Sequence, residues 1–424
     1  MTAHEMKNVT SQNLLKIAFV SPGYKSVPDV AGGAVEHLMT QIIEENEKNP
    51  HFYFELYTIS DKALNAYSLK YTHINQIKNF RKTFFIRAFS FILNSLFTVC
   101  RCNARFNYFG REVARRLPAD IAFILIENDV NIFKQIKQKM QNTPIVFHLH
   151  NDFDTLGEMQ KSAWSMKYVA DNASEIWTVS AYLKKHLLSA FKNISDSKIR
   201  VLENGIDRER FSVTMNDTER ATTFRKKYEI SDSQFVILYA GRILRQKGVY
   251  ELLQAVSLLP EDMDCVLVIA GDIRSAPRMY RKQLKKILSK IKCKVVFTGY
   301  IPQYEIQNAY AAAGIVTIPS QWQEAFCLVA LEASCHCKPC VASISGGMAD
   351  VLDDSCAKMI ALGDGYVENF RDAIYELYKD EGLRIKLAEN AAKNSLQFPD
   401  RKHYFENFCA IAENFIFSRG SSLC

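Results

Sequence analysis

The sequence predicts an α/β protein made of two doubly wound parallel sheets. Three observations lead there. Short apolar, β-branched runs alternate with longer amphipathic stretches, the pattern of parallel strands joined by covering helices. The alternation comes in two series, separated by a polar region between Gly205 and Phe235 that carries Asp207, Asn216, Asp217 and Asp232. The length, 424 residues, is more than one hydrophobic core usually holds.

The first series of expected strands is 16–20, 52–59, 121–126, 144–149 and 175–179, with helical patterns over 34–47 and 180–191 among them. The second is 235–240, 265–270, 294–298, 315–318 and 339–343, with helical patterns over 250–259, 280–291, 304–312 and 325–334. Right-handed crossovers follow from chain chirality. The expected domains are Rossmann-like: 1–210, joined by a last helix in 400–424, and 211–399. Open parallel sheets bind ligands at the carboxyl ends of their strands, so two facing sheets would place a site in the cleft between them.

Composition narrows the classes. Hydrophobic residues make up 48% and charged residues 23%, an ordinary globular balance. The formal net charge of +7 is modest at this length and does not demand a nucleic acid partner. Residues 1–13 are polar and the first apolar run ends at Ser21-Pro22-Gly23, so no secretion signal or spanning helix is expected and the cytoplasm is the expected setting. Eleven irregularly spaced cysteines read as reduced thiols.

The stretch 320–334 carries the most chemistry. Glu324 precedes a helical pattern and Glu332 lies within it, eight residues on. A helix from 325 would put Glu332 two turns in, roughly 12 Å along the axis. One carboxylate can then accept from hexose hydroxyls and the other from ribose hydroxyls. The N–H groups of the helix start would face a diphosphate between them. Two other loops suit anions. Gly32 and Gly33 open the helical pattern after the first strand, where backbone can approach a ligand closely. Arg242 and Lys247 follow the first strand of the second series. Arg grips two phosphate oxygens and Lys acts as a point charge. His148 and His150 share one face of the 144–149 strand, and His150 sits nearest its end.

These segments resemble the retaining glycosyltransferases of family 4, which have the GT-B fold. Glu324 to Glu332 is similar to the family's Glu-x7-Glu motif, and Gly241 to Gly248 to its Gly-Arg-x-x-x-x-Lys-Gly motif. Gly32-Gly33 with Glu36 resembles the Gly-Gly-x-x-Glu loop. Asn204 to Phe211, Gly271-Asp272, Thr298 to Pro302 and Gly346-Gly347 with Asp350 match further family segments. The resemblance runs from about Lys16 to Phe417. It departs at Ala325, Cys327 and Cys337, where glycine is usual, which bears on the donor sugar more than on the reaction.

The resemblance implies a GT-B hexosyltransferase that retains anomeric configuration and needs neither metal nor cofactor. Arg242 and Lys247 would hold the diphosphate, Glu324 the sugar, Glu332 the ribose, and His150 would lie at the reacting carbon. Gly32, Gly33, Gly271, Tyr300, Ile301, Ala325, Phe326, Cys327 and Leu328 complete the expected binding set. The expected donor is a UDP-sugar, with a GDP-sugar as the alternative. The acceptor would be a glycan or a lipid-linked chain in cell-surface polysaccharide synthesis. The alternative reading is a catalytically silent partner of an active transferase. The His148, His150, Asp152 grouping is by itself a weak metal signal, and Cys335 to Cys340 lacks the spacing of a standard zinc pair. Residues 78–116 hold nine basic side chains against the single acid Glu112, interleaved with aromatics. That composition suits anionic lipid or an acidic acceptor.

Overall fold

A computed structural model of the chain describes residues 14–30, 32–78, 107–153 and 162–420. The chain divides into two compact units, Met1–Gly205 with Arg401–Cys424, and Ile206–Asp400.

The first unit holds seven strands: β1 (Leu15–Val20), β2 (Phe52–Ile59), β3 (Thr72–Ile77), β4 (Ile121–Glu127), β5 (Ile145–Leu149), β6 (Glu175–Thr178) and β7 (Ile199–Val201). They pair in parallel in the order β3-β2-β1-β4-β5-β6-β7. Ile17 to Val20 and Phe123 to Ile126 are fully buried, because helices cover both faces of a parallel sheet. The second unit holds β8 (Phe235–Ala240), β9 (Cys265–Ala270), β10 (Lys294–Phe297), β11 (Ile315–Ile318), β12 (Cys340–Ile344) and β13 (Ala357–Ala361). Their order is β10-β9-β8-β11-β12-β13, again all parallel. Strand order reverses between β1 and β4 and between β8 and β11. At such a reversal successive connections leave the sheet in opposite directions and open a crevice beyond the strand ends.

Helices fill the connections, and several carry a legible start. Asp129 accepts from the N–H groups of Asn131 and Ile132, and Ser180 from that of Leu183, which satisfies donors the helix itself cannot. The last helix, Arg401–Gly420, belongs to the first unit. Its Phe408 ring meets Phe19, Phe52, Phe54 and Trp177 with centroids 5.8–6.2 Å apart. Arg401 anchors its start on Glu44 and Glu45 at 2.6 Å each. Gly205 lies flat against Tyr404, where a Cβ would come within 2.5 Å of the Tyr404 Cβ.

Three strands escape the sequence reading, β3, β7 and β13, and all three are sheet edges. β3 reads Thr-His-Ile-Asn-Gln-Ile and leaves His73 exposed. Six backbone pairings with β2 define it rather than an apolar run. The helix expected from 325 begins at Leu328. Glu332 is therefore little more than one turn in, and not two. The helix ends through Cys337, whose φ is +50°. Its N–H bonds to the Ser334 carbonyl and that of Lys338 to the Ala333 carbonyl, a termination that favours glycine. Cys335 and Cys340 are buried thiols, but Cys337 is exposed. Within the basic, aromatic stretch, 79–106 lies outside the described residues. In the described part, Arg115 and Arg116 both pair with Glu112.

Candidate functional site

The reversal between β8 and β11 sets two loops side by side, 241–248 and 319–327. The Gln321 N–H donates to the Gln246 carbonyl at 2.8 Å. Gly248 has φ +68°, and a Cβ there would stand 1.7 Å from the Pro319 carbonyl oxygen. Only glycine fits such a contact. The close approach brings together two residues that the sequence assigned to different parts of the donor: Lys247 Nζ lies 2.6 Å from Glu324 Oε1. Ser320 donates to the same oxygen at 2.5 Å, and Lys247 also rests 4.9 Å from the Trp322 ring centre. Glu324 is 5% exposed. Burial pushes its carboxyl up, but the Lys247 charge and the hydrogen bonds from Lys247 and Ser320 hold it below the usual carboxylate range. The residue is thus an ionised, buried acceptor.

The next loop fixes the Glu324 backbone. The Gly347 N–H donates to the Glu324 carbonyl at 2.6 Å. Gly346 has φ +55°, and a Cβ on either glycine would strike backbone of Glu324 or Ala325. This pinning delays the helix to Leu328. Ala325 and Cys327 are buried, Phe326 packs edge-on against Phe398 at 5.7 Å, and Leu328 is half-buried. Burial raises the Cys327 thiol to about 12, so it stays protonated.

Glu332 lies further along the same helix, and Tyr310 Oη donates to its Oε2 at 2.6 Å. Burial raises the Glu332 carboxyl to about 7, against the opposing influence of Tyr310 and Arg210. Gly271 and Gly241 meet at the ends of β9 and β8, where a Cβ on Gly271 would fall 2.3 Å from the Gly241 carbonyl. Arg242 is exposed and makes no ion pair among the described residues. Tyr300 is 55% exposed and Ile301 half-buried in the loop after β10.

In the first unit, Gly32 and Gly33 have φ of +70° and +153°, so both positions of the turn require glycine. Glu36 folds back over Gly33, where a Cβ would meet its Oε2 at 2.2 Å. His150 stands just past β5. Its partner is a residue that the sequence reading did not single out, Glu127 at the end of β4. Glu127 faces His148 across the β4–β5 pairing, and His150 is two residues further on the same face. His150 Nε2 lies 2.5 Å from Glu127 Oε2, and His148 Nδ1 lies 3.2 Å from Oε1. These three form the one group with metal-ligand spacing among the described residues, their ligand atoms all within 4.8 Å. Asp152, grouped with the histidines in sequence, instead accepts from Tyr182 and contacts His186, both at 2.9 Å. A carboxylate ending an apolar strand is the only hint of Glu127 in the sequence, and the β4–β5 pairing is what sets it beside the histidines.

Two family descriptions match the chain: "Glycosyl transferases group 1" over residues 220–394 and "Glycosyltransferase Family 4" over 96–210. Relatives include a Bacillus subtilis sequence named as glycosyltransferase YtcC, 30% identical over 61% of this chain and 64% of its own length. Another is the lipopolysaccharide 1,2-N-acetylglucosaminetransferase of Salmonella typhimurium, 29% identical over 54% of this chain and 57% of its own. The chain thus spans about three fifths of the curated relatives it matches. Among solved structures, Anabaena Alr3699/HepE in complex with UDP-glucose superimposes with TM-score 0.73 at 18% identity, over 94% of this chain and all of that one. WaaG, a glycosyltransferase involved in lipopolysaccharide biosynthesis, gives 0.65 at 19% identity, over 93% and 99%. With two parallel Rossmann-like sheets and both family segments in place, the chain belongs to the family 4 glycosyltransferases of the GT-B fold.

Proposed function

We propose that the protein transfers a hexose from a nucleoside diphosphate sugar to a glycan or lipid-linked acceptor in cell-surface polysaccharide synthesis. The observation that carries this is the Lys247–Glu324 pair at the strand-order reversal of the second sheet, where open parallel sheets take their ligands. Lys247 and Arg242 take the diphosphate and stabilise the charge that builds on it as the sugar–phosphate bond breaks. Glu324 accepts from the sugar hydroxyls and Glu332 from the ribose. The loop bearing Gly32 and Gly33 closes over the phosphates or the acceptor, and His150 lies at the reacting carbon. The acceptor oxygen attacks that carbon on the face the diphosphate leaves, its proton passes to the leaving phosphate oxygen, and configuration is retained. No metal takes part in this scheme. The donor is a UDP-sugar, a choice supported by the UDP and UDP-glucose complexes of the structurally similar Anabaena protein. The basic, aromatic stretch 78–116 brings the protein to anionic membrane.

A thermal-shift panel of UDP-, GDP- and dTDP-sugars tests the reading, because a ligand that binds only the folded state raises its apparent stability. A rise with one nucleotide class and the appearance of transferred sugar are expected. No shift with any member of the panel would refute the proposal.

Glu332 adds a pH dependence. As a carboxylate it accepts from two ribose hydroxyls, and protonation removes one acceptor. With the carboxyl at about 7, donor affinity is expected to rise about tenfold between pH 6 and pH 8. The stability change has the opposite sign. The protonated carboxyl's contribution is complete below the ordinary carboxylate range and is lost as pH rises through about 7. Calorimetric titration of the donor from the panel checks the affinity, and Glu332→Gln should flatten the profile. A pH-independent affinity in the parent protein would remove Glu332 from the ribose.

A further inference from the structure

We infer that Glu127 is the positioning residue for His150, fixing its ring and tautomer so that Nδ1 is the nitrogen presented to the donor sugar. The inference rests on the reading that His150 lies at the reacting carbon. It starts from strand pairing. Glu127 ends β4 directly opposite His148 on β5. Side chains two apart share a face, so a single carboxylate reaches both imidazoles. His150 Nε2 lies 2.5 Å from Glu127 Oε2, and His148 Nδ1 lies 3.2 Å from Oε1. Side-chain exposure is 1% for Glu127, 1% for His148 and 5% for His150.

The backbone is clamped by the same turn. The Asn128 N–H donates to the His148 carbonyl at 2.9 Å, and the His150 N–H donates to Asn128 Oδ1 at 3.0 Å. Asn128 makes both bonds with φ +53°, a left-handed conformation that asparagine tolerates better than most non-glycine residues.

The charge state follows from the cluster. Burial pushes the Glu127 carboxyl up, but His148 and His150 together bring it down to about 2. Burial and His148 hold His150 down at about 4, against the pull of Glu127. At neutral pH an ionised carboxylate therefore faces a neutral His150 ring. A carboxylate only accepts, so each imidazole nitrogen that faces it carries the proton. His150 then holds its proton on Nε2. Its Nδ1 makes no hydrogen bond among the described residues and is left as an acceptor for a sugar hydroxyl. The buried His148 Nε2 has no hydrogen-bond partner among the described residues. The arrangement also sets a negative charge behind the ring. That is the sign required where positive charge grows on the sugar carbon as its bond to phosphate lengthens.

Imidazole ¹⁵N spectra and steady-state kinetics of the full chain test this with Glu127→Ala and Glu127→Gln. The parent should show a fixed Nε2–H tautomer for His150, assigned by its loss in His150→Gln. In Glu127→Ala the signal should move toward tautomer averaging. There kcat should fall about tenfold or more, while KM for the donor stays within about threefold, since small misplacements at a reacting centre act on the barrier. Glu127→Gln keeps a carbonyl acceptor and should recover part of both readouts. It also carries the test alone if the alanine variant does not fold. An unchanged His150 tautomer in the variants, or equal kcat in all three proteins, overturns the assignment. So does one tightly held metal ion per chain by elemental analysis, since the three side chains would then be its ligands. The tautomer is read without substrate, so its failure is separable from a failure of the transferase reading.

Discussion

Replacing Lys247 by alanine is expected to lower sugar transfer by at least about a hundredfold, the scale of losing one charge-stabilising group at a reacting centre. The ammonium lies 2.6 Å from the buried Glu324 carboxylate, which therefore has its counter-charge beside it. In the proposed reaction, Lys247 turns to the diphosphate and Glu324 to the sugar hydroxyls. Glu324 would then exchange one polar partner for another without first being stripped of water, since it is already buried. Alanine removes the cation and leaves a carboxylate that is 5% exposed without its main partner. Stability should therefore fall as well, by about 3 kcal/mol. The two effects separate when turnover is measured well below the variant's melting temperature and at saturating donor. A variant that melts lower yet turns over at the parent rate would show that the pair only holds loops together, and would strip Lys247 of its proposed role.

Gly248→Ala is expected to be nearly as damaging, for a different reason. The added Cβ would stand 1.7 Å from the Pro319 carbonyl oxygen, on a residue whose φ is +68°. Backbone, not a flexible side chain, is in the way. The two loops must part, and the pair held at their ends parts with them. A loss of about 3 kcal/mol or more is expected from the strain, with turnover down at least about tenfold at a temperature where the protein is still folded. Chemical denaturation and kinetics of the purified variant check both. Gly299 is the control, because it also has positive φ but has open space where its Cβ would go. Gly299→Ala should carry only the smaller backbone penalty. Equal losses at the two positions would refute the argument from collision.

The chain's alternation of apolar runs and amphipathic stretches was enough to predict parallel, doubly wound sheets, because central strands such as Ile17–Val20 must be apolar on both faces to be buried. Three of the four edge strands gave no such signal. β3, β7 and β13 are half-solvated and are defined by backbone pairing to a neighbour, which composition does not record. In the site, residues bound to a short motif were legible: Gly241 to Gly248, Glu324 and Glu332, and Gly32-Gly33. Their spacing is local, and glycine marks the turns where φ is positive. Glu127 was not legible, since it is 23 residues from His150 along the chain and only the β4–β5 register makes them neighbours. The contact between Lys247 and Glu324, 77 residues apart, was equally invisible as an ion pair. So was the delay of the helix start to Leu328, which Gly346 and Gly347 impose from the following loop. Periodicity and turn chemistry act over a few residues and can be read in order along the chain. Which carboxylate sits beside which base, and how far each pKa moves, depends on burial and on partners brought together by strand order, and those exist only after the sheets have formed.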